Sequence, residues 1–406
     1  MTSGGTVGGF EPPVYPFDRL RPLADLAAAH VGGLVDCSVG TPVDPPPPAV
    51  VEALASSGAV RGYPSGVGGA RLLGACRGWM QRRFGVTVDA GGLAACIGTK
   101  ELVAGIPHWL RLRTPGRDVV LYPEISYPTY AMGALLAGAR AVPVPVRPGG
   151  GLDLSAVDDD DAARALCLWT NSPSNPTGEL DDLAAAADWG RAHAVPVFSD
   201  ECYAEYTWAG APRTILEEGT EGVVAVHSIS KRSNCAGLRC GFYAGDEDLV
   251  HYLSELRRHA GFMVPGPIQA ASAVALDDDD HVDVQRARYA GRLRRLVGIL
   301  AAVGIDAHLP AGGFYLWVEA ASVPDTLAGV LAGLPPGTPG AGEGDSPAWA
   351  LTAALAAAGG LLVTPGDFYG PAGSRFVRIA LVAPDDQLEL VAERLARAGA
   401  TAATPA

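Results

Sequence analysis

The sequence predicts an α/β protein with a large domain, in which helices cover a mostly parallel sheet, and a smaller α+β domain. Between residues 93 and 245, short apolar runs alternate with helical stretches, a pattern typical of buried parallel strands joined by crossover helices. After residue 245 the pattern changes to long helices followed by three further strand-like runs. The length of 406 residues also exceeds what one compact core usually organises.

Seven apolar runs predict the strands of the large domain, namely AACI, DVVLY, RAVPVPV, ALCLWT, VPVFS, VVAVHS and RCGFYAG. Helical patterns follow over residues 246–276 and 281–303, and then come the strand-like runs GFYLWVE, GLLVTPG and RFVRIALV and a last helix over 384–398. Glycine and proline dominate residues 334–347, which predicts a surface loop. We expect residues 1–45 to join the small domain, residues 46–290 to form the large domain and residues 291–406 to form the small one.

The composition argues against several classes of protein. Hydrophobic residues make up 48% and charged residues 18% of the chain, as in globular proteins. A net charge of -14 argues against nucleic acid as a partner, because phosphate backbones are bound by basic surfaces. The seven cysteines form no CxxC pair, so we expect no disulfide framework, no metal site and a cytoplasmic location. No segment approaches the apolar length of a membrane span, so we expect no membrane partner.

The strongest chemical signal is the segment HSISK, residues 227–231, which follows an apolar run and precedes Arg239 by eight residues. A lone lysine in a loop is usually a solvated charge, but this spacing of hydroxyls, lysine and arginine is far more specific. The segment resembles the cofactor loop of the class I and II aminotransferases, which use pyridoxal 5'-phosphate (PLP). The resemblance implies that Lys231 holds PLP as a Schiff base, a role that needs an amine of lowered pKa. It also implies that Ser228, Ser230 and Arg239 bind the cofactor phosphate.

A second signal is SDECY, residues 199–203, at the end of a predicted strand. By itself, an aspartate that ends a strand is more often a turn or cap residue. Its place about thirty residues before Lys231 resembles the Asp-x-x-Tyr of the same family. The resemblance implies that Asp200 keeps the pyridine nitrogen protonated and that Tyr203 donates to the phenolic oxygen of PLP.

The third signal is NSPSNPTG, residues 171–178, which could be a plain turn because Asn, Pro and Gly all favour turns. It resembles the N-P-x-N-P-T-G of the family. In that setting Asn175 contacts the phenolic oxygen of PLP and the substrate. The Asn175–Pro176 bond is also a candidate cis peptide, since cis bonds are least costly before proline.

Three weaker segments complete the predicted cofactor site. Gly98-Thr99-Lys100 precedes a helix expected to begin at Glu101, so the amides of Thr99 and Lys100 could bind phosphate or form an ordinary cap. Tyr127 lies in a segment that resembles the family's Y-P-x-Y, whose first tyrosine stacks on the pyridine ring, although a core aromatic residue is the alternative. Tyr63 matches a family tyrosine that reaches the phosphate of the neighbouring subunit, which implies a homodimer.

Arg378 lies in an apolar, strand-like segment where the family places its arginine for the substrate α-carboxylate. An arginine buried in such a strand needs an anionic partner, whereas an edge-strand arginine that faces water does not. We assign the role to Arg378 and not to Arg375, because Arg378 is followed by a small apolar run. Gly40 would supply a backbone amide that faces the same carboxylate.

The order of these motifs covers nearly the whole chain and implies the PLP-dependent transferase fold of type I. Strings such as VGTPVDP, GTKELV, SDECY, SKRSN and PGDFYG further resemble the actinobacterial N-succinyldiaminopimelate aminotransferases. That resemblance implies transfer of an amino group from glutamate to N-succinyl-2-amino-6-oxopimelate. The long Gly/Pro-rich stretch and Gly312-Gly313-Phe314 depart from the group, so a paralogue of other specificity stays open.

Two other classes of function remain to be weighed. A PLP lyase of the same fold would use the same lysine, aspartate and arginine. A regulator built on this fold would need an added DNA-binding domain.

For the amino acceptor, Lys100 and Arg232 are the candidate contacts to a distal carboxylate, and the alternative is that both face solvent or phosphate.

Overall fold

The computed structural model of the chain describes residues 11–342 and 344–402. Its large sheet has seven strands in the order β2-β8-β7-β6-β5-β3-β4, and only β8 runs antiparallel to its neighbours. The predicted, mostly parallel sheet is therefore confirmed. The strands of the described chain are β1 Val35–Asp36, β2 Leu93–Cys96, β3 Val119–Pro123, β4 Arg140–Val144, β5 Ala165–Asn171, β6 Val197–Asp200, β7 Val223–Ser228, β8 Gly241–Gly245, β9 Tyr315–Glu319, β10 Leu361–Leu362, β11 Thr364–Pro365 and β12 Phe376–Ala380.

Helices cover both faces of this sheet. The α-helices of the whole described chain are α1 Arg21–Ala28, α2 Pro48–Ser56, α3 Ala70–Phe84, α4 Thr99–Arg113, α5 Thr129–Leu136, α6 Asp159–Arg164, α7 Leu183–His193, α8 Ile229–Arg232, α9 Glu247–His259, α10 Gly266–Asp277, α11 Asp280–Ala301, α12 Asp325–Ala332, α13 Pro347–Gly359 and α14 Asp385–Ala402. Side chains of β7 alternate between the two faces, so that Val223 packs in the core with α3, α7 and α10, and Val224 in the core with α4, α5 and α9.

The remaining strands form two smaller sheets. β12 lies between β11 and β9 in an antiparallel sheet, and β1 pairs in parallel with β10. Residues of α11, α13 and α14 pack with these strands in a separate core. Helix α11 runs without a break through the predicted boundary at residue 290, and the predicted domain limits stay a prediction, with residues 1–10 and 403–406 outside the described range.

Two local predictions differ from the structure. The helical pattern over residues 246–276 forms two helices, because Gly261 takes a φ of 83° and Pro265 precedes α10. Helix α4 begins at Thr99 and not at Glu101, with Gly98 as its N-cap. The loop over residues 334–347 is irregular until α13 begins, and Glu343 lies outside the described residues. None of the described helices combines the length and the apolar character that crossing a bilayer requires.

Candidate active site

A cavity of about 400 Å³ opens where the large sheet meets β9 and β12. Three adjacent parallel strands each contribute their last residue to its wall, namely Asn171, Asp200 and Ser228. Ligands of open α/β sheets bind at this carboxyl edge. The cavity brings together every residue predicted for the site except Tyr63 and Arg232, that is Gly40, Thr99, Lys100, Tyr127, Asn175, Asp200, Tyr203, Ser228, Ser230, Lys231, Arg239 and Arg378.

Lys231 lies on the short helix α8, directly after β7. Its Nζ donates a hydrogen bond to the carbonyl oxygen of Gly40, and its own carbonyl oxygen accepts one from the Tyr206 hydroxyl at 2.9 Å. Burial lowers the pKa of Lys231 to about 8, and Arg378 and Arg239 contribute in the same direction. The amine is therefore partly neutral near neutral pH and can act as a nucleophile and proton carrier.

The Asp200 carboxylate also lines the cavity. Its Oδ2 accepts a hydrogen bond from the Tyr130 hydroxyl at 2.9 Å, and its Oδ1 accepts one from the backbone N–H of Cys202 at 3.2 Å. Burial raises the pKa of Asp200 against the effect of these two hydrogen bonds. A cationic ligand atom at this position would hold the carboxylate in its ionised form.

Hydrogen-bond donors that suit a phosphate line the cavity as well. The first turn of α4 presents the amides of Thr99 and Lys100, and Arg239, Ser228 and Ser230 are further lining residues. Gly98 has a φ of 70°, and a Cβ there would lie 2.2 Å from Arg239 Nη2. Only glycine therefore allows the guanidinium to approach the helix N-terminus.

Arg378 is 2% exposed and lies on β12, the middle strand of its sheet. Its Nη1 donates to Asn175 Oδ1 at 2.9 Å and its Nη2 donates to the Ser38 carbonyl oxygen, while no carboxylate of the described chain forms an ion pair with it. Arg375 is instead exposed and pairs with Glu319 at 2.8 Å. A buried guanidinium without an anion, facing a cavity, can bind the carboxylate of a ligand.

Tyr203 and Asn175 lie between Lys231 and Arg378. The Tyr203 hydroxyl is 2.8 Å from the Tyr315 hydroxyl and 3.5 Å from Asn175 Nδ2. The Asn175–Pro176 peptide bond is cis, as predicted, and the Ser172–Pro173 bond is cis as well. At the rim, Lys100 Nζ lies 5.2 Å from the ring centre of Tyr15 and 5.7 Å from that of Tyr127.

Arg232 does not lie in the cavity, so the prediction that it contacts a distal carboxylate is wrong. Its guanidinium is buried against Glu205 at 3.1 Å and Asp279 at 2.8 Å, on the other side of α8. Tyr63 is 98% exposed and does not line the cavity within the single chain described here.

Sequence reasoning missed Tyr130 and Tyr315 as cavity residues. Tyr130 had a usable signal, because it is the second tyrosine of the segment that resembles Y-P-x-Y. Tyr315 had none, because it is one of several apolar residues in its predicted strand and only the fold turns it toward the cavity.

The fold and these side chains are those of a PLP-dependent enzyme. The cradle of helix amides, arginine and hydroxyls fits the cofactor phosphate, and Asp200 fits its ring nitrogen. Residues 33–395 match the family Aminotransferase class I and II. The chain therefore belongs to the class I and II aminotransferases, whose members depend on PLP.

Two curated relatives and one solved structure illustrate the match. The chain is 41% identical to the Probable aminotransferase Rv1178 of Mycobacterium tuberculosis, over 94% of this chain and 85% of the relative. It is 39% identical to the 4-dedimethylamino-4-oxo-anhydrotetracycline transaminase OxyQ of Streptomyces rimosus, over 95% and 99% of the two chains. The N-succinyldiaminopimelate aminotransferase structure from Mycobacterium tuberculosis is 27% identical, with a TM-score of 0.76 over 94% and 99% of the chains.

Proposed function

We propose that this aminotransferase moves an amino group from glutamate to N-succinyl-2-amino-6-oxopimelate. The observation that carries the proposal is the placement of the lysines, because Lys100 and Lys231 are the only two in a chain of 406 residues. Both lysines line the cavity. All the other residues that make up the total of Lys and Arg are arginines. Lys231 is needed for PLP, so Lys100 is the lysine left for the substrate.

Different residues of the chain carry out different parts of the reaction. Arg378 binds the α-carboxylate of both substrates, and its bond to Asn175 fixes the plane of the guanidinium. When bound, PLP accepts the amino group and acts as the electron sink. Lys231 Nζ carries the proton from the substrate Cα, and its lowered pKa increases the fraction of the neutral form that can accept one.

Other residues hold the cofactor in place. Asp200 would keep a proton on the ring nitrogen, and Tyr203 and Asn175 would hydrogen-bond the phenolic oxygen. Tyr127 would contact the ring, while the amides of Thr99 and Lys100 would bind the phosphate with the three side chains Ser228, Ser230 and Arg239. Gly40 contributes a backbone group that faces the substrate carboxylate.

Lys100 is suited to the distal carboxylate of a long acceptor. Desolvation lowers its pKa, but the neighbouring Tyr127 and Tyr15 outweigh that effect and raise the pKa of Lys100 overall. The side chain is therefore a cation at neutral pH, and it is exposed and lines the same cavity as the buried Arg378. A keto acid with a second carboxylate can contact both cations, whereas pyruvate reaches only Arg378.

A larger ketone is the second candidate acceptor. An apolar groove of about 720 Å³ shares Tyr15 and Lys100 with the cavity, and Met132, Leu136 and Phe262 are among its lining residues. The name of OxyQ describes an acceptor with a polycyclic ketone. A bulky cyclic ketone could extend from the cavity into this groove.

Steady-state kinetics with glutamate as donor test the proposal. We expect N-succinyl-2-amino-6-oxopimelate to give a higher kcat/KM than pyruvate. Lys100→Ala should raise KM for the long acceptor about tenfold and change KM for pyruvate little, because one charge-assisted contact is lost. Arg113→Ala is the matched control, since it removes an exposed cation from the last turn of the same helix. A preference for short, aromatic or bulky cyclic acceptors that Lys100→Ala leaves unchanged would contradict the assignment.

A further inference from the structure

Tyr315 is the first residue of β9 and contacts three residues of the site. Its hydroxyl lies 2.8 Å from the Tyr203 hydroxyl, and its ring centre lies 4.5 Å from Arg378 Cζ. A Cβ on Gly40 would stand 2.2 Å from the Tyr315 hydroxyl, so the absence of a side chain at Gly40 is what makes room for it. The side chain is 1% exposed.

We propose that Tyr315 is a positioning residue, whose hydroxyl directs the Tyr203 hydroxyl toward the cofactor and whose ring supports the Arg378 guanidinium. The inference rests on the proposed function, because the roles of Tyr203 and Arg378 are part of it. Tyr315 acts through Tyr203, which hydrogen-bonds the cofactor, and through Arg378, which binds the substrate carboxylate.

The number of protons on the two hydroxyls decides which tyrosine donates to the other when Tyr203 donates into the cavity. Each hydroxyl has one proton, and either can donate across the distance of 2.8 Å. When Tyr203 donates into the cavity, the bond between the hydroxyls needs the proton of Tyr315. Burial raises the pKa of Tyr315 to about 12, so that proton is present throughout the working pH range. Asn175 Nδ2 is 3.5 Å from Tyr203 and is the weaker partner.

The ring of Tyr315 serves Arg378 in a different way. The guanidinium is buried, has no carboxylate partner in the described chain, and lies between the rings of Tyr315 and Tyr369, at 4.5 Å and 4.9 Å. Aromatic faces attract a desolvated cation without neutralising it. The charge stays available for a substrate carboxylate, and the planar group is kept in one orientation.

The two roles can be separated because one belongs to the hydroxyl and the other to the ring. Tyr315→Phe removes only the hydroxyl, whereas Tyr315→Leu removes both. Tyr289→Phe is the matched control, because Tyr289 is a buried tyrosine of the same aromatic cluster and packs on Phe314. The described lining of the cavity does not include it.

The absorbance of the bound cofactor as a function of pH reports the hydroxyl role. Besides Tyr203 and Tyr315, the charged and titratable groups that line the cavity with Lys231 are Asp200 at the end of β6, Cys202 after β6, Arg239 beyond α8, Arg378 on β12, Lys100 on α4, and the tyrosines Tyr15, Tyr127 and Tyr130. All of these stay in place in the Tyr315 variants. At high pH the phenolic oxygen of the cofactor is anionic and depends on the hydrogen bond from Tyr203. A Tyr203 hydroxyl that accepts a hydrogen bond from Tyr315 donates its own hydrogen bond more strongly, so the pair lowers the pH midpoint.

The experiment compares holoenzymes of the wild type and the three variants. We expect Tyr315→Phe to raise the absorbance midpoint by about half a pH unit and to change KM for glutamate less than about twofold. Tyr315→Leu should raise the midpoint similarly and raise KM for glutamate and for the acceptor about tenfold. Tyr289→Phe should alter neither quantity.

Two results would overturn the inference. A wild-type midpoint in Tyr315→Phe would refute the hydroxyl role, and an unchanged KM for glutamate in a folded Tyr315→Leu that binds PLP would refute the ring role. A wild-type protein that binds no PLP would refute the cofactor roles themselves. A wild type that titrates normally but prefers another acceptor would refute only the proposed substrate, which keeps the failures distinguishable.

Discussion

At the scale of single residues, the reactivity of Lys231 follows from its surroundings. Burial disfavours the ammonium form, and Arg378 and Arg239 add positive charge, so the pKa falls from 10.5 to about 8. The neutral amine, which is the nucleophile, is therefore abundant above pH 8. Because Lys100 is the only other lysine, covalent chemistry at Lys231 can be followed almost without competition from other lysines.

This environment predicts how the apoprotein takes up PLP. We expect the rate of covalent attachment to rise about tenfold per pH unit below pH 8 and to level off above it, because the neutral fraction follows the pKa of about 8. Borohydride reduction followed by peptide mapping measures attachment, and Lys231→Ala is the control that should show none at this position. A rate that keeps rising to pH 10 would mean that the amine has an ordinary pKa.

Single residues also show where sequence patterns stop being informative. Arg378 and Arg375 are three positions apart in one strand, and the pattern alone left open whether an arginine there is buried or faces water. The structure buries Arg378 and pairs Arg375 with Glu319 on the surface. For Arg232 the pattern failed, because Glu205 and Asp279 are remote in sequence and nothing in the string SKRSN indicates them.

At the scale of elements, most strands could be predicted because parallel strands buried on both faces are short, continuous apolar runs. The residues that end β5, β6 and β7 could be predicted to lie together for the same reason, since parallel strands end at one edge. Helix limits were less certain. The break between α9 and α10 depends on Gly261 and Pro265. The apolar pattern of a helix continues across these residues, but the helical backbone does not.

The start of α4 gives a prediction about the phosphate cradle. We expect Gly98→Ala to weaken PLP binding about tenfold or more, because the new Cβ would meet Arg239 at 2.2 Å and displace the guanidinium. The substitution also places alanine at a φ of 70°, which costs about 1–3 kcal/mol of stability by itself. Equilibrium titration of the apoprotein with PLP measures the effect.

Gly219→Ala controls for the strain in the backbone. Gly219 has a φ of 90° and a ψ of 170°, close to the conformation of Gly98, and its nearest neighbour to a new Cβ is 3.6 Å away. This variant should lose similar stability and keep its affinity for PLP. Equal losses of affinity in the two variants would show that strain, and not the approach of Arg239, explains the effect.

At the scale of the whole molecule, two residues assigned to the cofactor phosphate are exposed. Arg239 lines the cavity yet is exposed in the single chain, and Tyr63, assigned to the same phosphate by family resemblance, is 98% exposed and does not line the cavity. No pattern within one chain gives the distance between residues of two chains. The homodimer therefore stays a prediction from the resemblance, and the exposure of these two residues is consistent with it.

Hybrid dimers decide whether Tyr63 acts across an interface. We expect Tyr63→Ala and Lys231→Ala homodimers each to have little activity, the first from weak phosphate binding and the second from loss of the amine. In a hybrid dimer, the chain with Tyr63→Ala keeps its own Lys231 and receives an intact Tyr63 from its partner, so one complete site is restored in each hybrid. Random mixing of equal amounts should recover about a quarter of wild-type activity, because about half of the dimers are hybrids with one of two sites complete. Activity that stays at the average of the two parents, although native mass spectrometry shows hybrids, would mean that Tyr63 serves its own chain or no site at all. Adding PLP in excess to the Tyr63→Ala homodimer provides the control, because a residue that only binds phosphate is compensated by a higher cofactor concentration.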